Sequence, residues 1–103
     1  MSKHEHRQGL LSVLVERFES QHLARALSLK HAVAAGERIG EYDRAFLEAA
    51  CREALESKHV VDGFPQYQPL FLRTVHLYRE ISDRALENEK KAFGIAGASL
   101  GSP

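Results

Sequence analysis

The sequence predicts a small all-α fold, an antiparallel three-helix bundle with a long first and third helix and a mobile C-terminal tail. Three observations predict it. Apolar residues recur three and four positions apart through almost the whole chain, the spacing that lines up one buried helix face. Only two stretches interrupt the pattern, Gly36 to Gly40 and Asp62-Gly63-Phe64-Pro65. The 103 residues are 44% apolar and 27% charged, enough for one soluble core without disulfides or a structural metal.

The first helix is expected over about residues 8–35, ending where Gly36 can supply a left-handed cap. The second begins at Gly40 or Glu41, with Asp43 favoured in its first turn by the helix dipole, and ends near Ser57 or Lys58. The third follows Phe64-Pro65 and runs to about Phe93; Pro69 predicts an irregular start. Residues 1–93 thus form one helical domain, and 94–103 read as a flexible Gly-rich tail.

Placing residues at intervals of about 100° sorts the faces. Tyr67, Leu70, Phe71, Thr74, Leu77, Tyr78, Ile81 and Ala85 form one stripe of the third helix, with Arg73, His76, Glu80 and Asp83 opposite. Phe46, Leu47, Ala50 and Ala54 face inward on the second, whereas Arg44, Glu48, Arg52 and Glu56 alternate in sign outside. Leu11, Val15, Phe18, His22, Ala26, Leu29 and Val33 make the stripe of the first. Its N-terminal half adds Leu10, Val13 and Leu14 on one side, and its C-terminal half adds Leu23, Leu27 and Ala34 on the other. The apolar arc therefore swings near Glu19-Ser20-Gln21, so the helix breaks there or its halves contact different partners.

Lengths favour different partners. At 1.5 Å per residue, the first and third helices reach roughly 40 Å and the second only about 25 Å. An antiparallel second helix cannot reach the opening turns of the first, which leaves Leu10, Leu11, Leu14 and Phe18 in need of cover. The segment from His59 to Phe64 could fold over them, or a second copy of the chain could close the surface around a two-fold axis. The homodimer is the favoured reading, with these four residues as its interface.

Zero net charge and no basic stripe argue against nucleic acid or an anionic membrane as partner. Residues 37–63 are locally acidic, with seven acids against four bases. No apolar run approaches a membrane span or a secretory signal. The lone Cys51 excludes an internal disulfide and a Cys-rich zinc site, and fits a reducing, cytoplasmic setting.

Few residues carry chemistry. His22 stands at the centre of an apolar stripe, which predicts a hydrogen-bonded core histidine with Tyr67 as a partner. Glu19/His22 and Glu56/His59 are both Glu-x-x-His, the spacing that places carboxylate and imidazole on adjacent turns. Ferritin-like di-metal proteins use two such pairs in four-helix cores, so iron, manganese or zinc is the alternative cofactor class. Eleven glutamates and six histidines generate such pairs readily by composition, and no further inward glutamates bridge them. Cys51 has no adjacent base to activate it, and no Gly-x-Ser-x-Gly elbow or phosphate loop is present. His31 reads as an exposed histidine, and His76/Glu80, four apart on the outer face of the third helix, as a surface ion pair in preference to half of a weak metal site. The expected function is a non-catalytic, cofactor-free, cytoplasmic interaction or adaptor module that binds protein and self-associates.

Overall fold

Three helical rods pack side by side, the first and third parallel and the second antiparallel to both, as cross-rod pairs Arg17–Glu53, Arg25–Asp43, Lys30–Glu80 and Arg44–Glu89 record. The computed structural model describes the backbone of residues 2–101 and the side chains of residues 2–94. Among them no strand occurs, and no helix is long and apolar enough to cross a membrane.

The first rod comprises α1 (Lys3–Arg17), a π-helical turn (Phe18–His22) and α2 (Leu23–Ala34). It starts five positions earlier than residue 8 because Ser2 caps it: the Ser2 hydroxyl accepts the Glu5 N–H at 3.2 Å, with Glu5 itself in the dipole-favoured first turn. Its C-terminus closes as expected. Gly36 adopts φ +88°, its N–H bonds the Val33 carbonyl at 3.1 Å, and the Glu37 N–H reaches back to Ala32 at 3.0 Å. That pair of bonds satisfies carbonyls the helix would otherwise leave unpaired, and only glycine adopts the left-handed position without steric cost.

The second rod is α3 (Glu41–Glu56), which opens with Glu41 and Asp43 in its first turn and ends where the Ser57 hydroxyl donates to the Ala54 carbonyl at 2.6 Å. A single-turn helix, α4 (Lys58–Val61), then bends the chain across the bottom of the bundle. Pro65 opens a 3₁₀ turn (Pro65–Tyr67), the irregular start that Pro69 signalled. The third rod, α5 (Gln68–Gly101), follows with Pro69 in its first turn, where a missing N–H breaks no helical bond. Its backbone helix continues to Gly101, past the expected end near Phe93. The mobility expected of 94–103 falls on residues whose side chains, after Gly94, lie outside the described set.

Two clusters form the core. The upper one joins Ala26, Leu29 and Val33 of α2, Leu47 and Ala50 of α3, and Tyr78 and Ile81 of α5. The lower one joins Leu11 of α1 to Val60 and Val61 of α4 and to Phe64, with Tyr67 and Phe71 packed alongside. Val75, outside the expected stripe, is buried as well. The radius of gyration is 17.6 Å and the extents are 70 × 22 × 19 Å. A compact 100-residue domain has a radius of gyration of about 13 Å. The elongation has a simple origin: the first rod spans one end, and α5 passes the top of that rod at Asn88 and continues beyond it.

Candidate functional site

The two clusters do not meet. Between them lies a crevice of about 80 Å³, walled by Phe18 and His22 of the π turn, Ala50 and Glu53 of α3, and Phe71 and Thr74 of α5, with Leu11 and Val61 from the lower cluster. Its position follows from the winding of the first rod. The Leu23 N–H bonds the Phe18 carbonyl, five residues back, so this turn holds one more residue than an α-turn. One extra residue rotates α1 by about 100° relative to a continuous α-helix. That rotation carries the Leu10–Leu14 arc back toward the side the α2 arc occupies, and it sits where the sequence shows the arc swinging. The rod does not break there.

Around the crevice, aromatic edges set the geometry. Phe18 meets Tyr78 edge to face at 6.3 Å, and His22 meets Phe46 in the same manner at 5.6 Å. The Arg25 guanidinium lies over the same Phe46 ring, 4.3 Å from its centroid. At the solvent side the Glu53 carboxylate accepts a hydrogen bond from the Arg17 Nη1 at 2.6 Å, so the one acid on the wall is neutralised. Burial raises the Tyr78 hydroxyl pKa from 10.0 to about 12, with smaller contributions from the Glu53 and Cys51 charges.

The four residues expected at an interface separate. Leu11, 3% exposed, is covered by this chain's own Val60, Val61 and Phe64, the alternative the sequence left open. Phe18 and Leu14 are half-buried and wall the crevice. Leu10 stays 44% exposed, joined by Val13 at 53%. The reason is the short second rod. Glu53, near its end, stands level with Arg17, so the earlier turns of α1 have α4 beside them and no helix of full length.

The residues considered as metal ligands do not converge. Glu19, Glu56 and His59 are exposed, His22 packs on Phe46, and no group of three or more His, Cys, Asp or Glu gathers among the described residues. π-helical winding also takes positions 19 and 22 off the shared α-helical face that Glu-x-x-His requires. Tyr67 walls the same crevice as His22, but no hydrogen bond joins them; Tyr67 instead meets the Phe64 ring at 6.5 Å. His22 is half-buried and its ring polar groups are not sealed from water, so it needs no protein partner. Glu80 pairs with Lys30 at 3.8 Å and not with His76, and Arg44 reaches Glu89 of α5 and not Glu48. Sequence reasoning missed Glu53 and Arg17. Their signal was available: Glu53 follows Ala50 by three positions, at the edge of the α3 apolar face. No protein-family model, curated protein or solved structure matches the chain.

Proposed function

We propose that this chain is a non-catalytic helical interaction module that self-associates through the exposed shoulder of α1. One observation carries the reading. Leu10 and Val13 present their side chains to solvent, beside half-buried Leu14, on the stretch of α1 that α3 is too short to flank. Adjacent apolar side chains with a polar surround are the composition of a helical interface. His6, Ser12, Glu16 and Arg17 supply that surround. A shoulder on one helix pairs with its own copy across a two-fold axis, the commonest way to close such a surface. Leu11 and Phe18, expected at the interface, belong instead to the chain's own packing in this reading.

The test is the solution mass of the wild type against Leu10→Glu/Val13→Glu. Both side chains are exposed, so the double variant should keep its helical circular dichroism and melting temperature while a dimeric wild type becomes monomeric. Phe18→Asp would be a poor probe, since it would disturb the contact with Tyr78. A wild type that stays monomeric at high micromolar concentration would sink the proposal.

A further inference from the structure

We propose that the crevice at the π turn is a binding site for a small, uncharged, single-ring aromatic molecule carrying one hydroxyl, the phenol class. The inference does not depend on self-association, because the crevice lies between the three rods and the α1 shoulder lies outside them.

Space comes first. The crevice is an opening of about 80 Å³ between the three rods, at the junction of the two clusters, with mostly apolar walls. The volume is roughly half that of an engineered cavity of about 150 Å³ that takes benzene. The crevice is open to solvent, and Glu53 in its lining is 33% exposed, so a ring can seat with one edge at the opening. A helix or a peptide segment is too wide to enter.

Lining chemistry then selects the ligand. Water in the crevice finds few partners along Leu14, Phe18, Ala50 and Phe71, whereas a ring meets apolar side chains and the aromatic edges they offer. Charge on the ligand is disfavoured, because the Glu53 carboxylate is already compensated by Arg17. A single hydroxyl is accommodated: Thr74 and Tyr67 on the α5 side and the Glu53 carboxylate on α3 supply acceptors among the lining residues. The π turn supplies two of the walls, Phe18 and His22.

The experiment titrates phenol into the full chain, reading heat, melting temperature and methyl chemical shifts. The expected result is saturable one-to-one binding that raises the melting temperature and shifts the Leu14, Val15 and Leu70 methyls, with benzene competing. Ala54→Leu fills the crevice from α3 and Thr74→Leu fills it from α5, so a fold lost in one leaves the other informative. Either folded variant should weaken phenol by about tenfold or more. Leu10→Glu/Val13→Glu should bind phenol as the wild type does, which separates this proposal from the dimer. Absence of saturable binding to the wild type overturns the site. So do shifts confined to methyls away from the crevice, or undiminished binding in the filled variants.

Discussion

Asn88 is the buried polar residue of the described core, 7% exposed, and its amide joins α5 to the end of the first rod. Its Nδ2 donates to the Val33 carbonyl at 2.9 Å and the Glu37 carbonyl at 3.0 Å, on either side of the Gly36 cap. An alanine at this position removes both donated bonds; the Val33 carbonyl keeps the Gly36 N–H, and the Glu37 carbonyl loses its side-chain donor. Asn88→Ala should cost about 1–3 kcal/mol in urea unfolding. Asn88→Asp should cost more at neutral pH, since an ionised carboxylate donates nothing and faces two carbonyl oxygens. Equal losses in the two variants would mean that the amide acts through packing alone. Tyr78 makes a different prediction. Its folded-state pKa, about 12, lies above the unfolded value of 10.0, so the folded chain holds the proton more tightly. The associated stability is fully present below pH 10 and is lost as pH rises from 10 through 12, because the unfolded state ionises first. The difference in unfolding free energy between wild type and Tyr78→Phe should therefore change by about 2 kcal/mol across that window. A difference that stays flat with pH would show that the hydroxyl is not shielded as its burial implies.

At the scale of elements, the π turn is the feature on which the crevice depends. Much of its origin was legible in the sequence. The two arcs of the first helix are offset by one residue step, and the offset falls at Glu19-Ser20-Gln21, inside the Phe18–His22 turn. What the pattern could not supply was the remedy. A break, a kink and an extra residue in the winding all realign two offset arcs, and choosing among them depends on what α4 and α5 place opposite each half. The cap at Gly36, the faces of α3 and the stripe of α5 were legible because each rests on local spacing. The cover over Leu11 was not, because it depends on how a short α4 folds back after α3, a non-local event with no periodic signature. The crevice was invisible for the same reason: it is a gap between packed elements, and spacing records only what packs. The winding itself can be tested by deleting Ser20, which is exposed and whose hydroxyl bonds only its own helix, at the Glu16 carbonyl. Removing it should restore α-helical winding and turn α1 by about 100°. Leu11 then leaves Val60, Val61 and Phe64, with a loss comparable to truncating a buried leucine, about 2–5 kcal/mol. Amide exchange over residues 59–64 should accelerate in step. An exchange pattern unchanged by the deletion would mean that α1 and α4 do not depend on each other.

The whole molecule is a slender rod whose two ends are built differently. At the upper end α5 extends past Asn88, where Glu89 pairs with Arg44 at 3.0 Å and the Arg38 guanidinium lies 5.4 Å from the centre of the exposed Phe93 ring. At the lower end α1 rests on α4 and on the Phe64–Phe71 segment that follows it, and Leu10 and Val13 face outward. A bundle with one short rod leaves such a shoulder as a matter of geometry, since the first rod outruns α3 by about ten residues or more at 1.5 Å each. The shoulder is also the place where association costs the fold least, because neither Leu10 nor Val13 takes part in the two core clusters. Scattering in solution distinguishes the two states without reference to function. A monomer should give the radius of gyration of the single chain, 17.6 Å, and pairing through the lower end should raise it together with a doubled forward intensity. Leu10→Glu/Val13→Glu should return both quantities to the single-chain values with the helical content intact. If instead the wild type scatters as a 17.6 Å particle of single mass at every concentration, the exposed leucine and valine are ordinary surface, and the partner must be sought elsewhere on the rod.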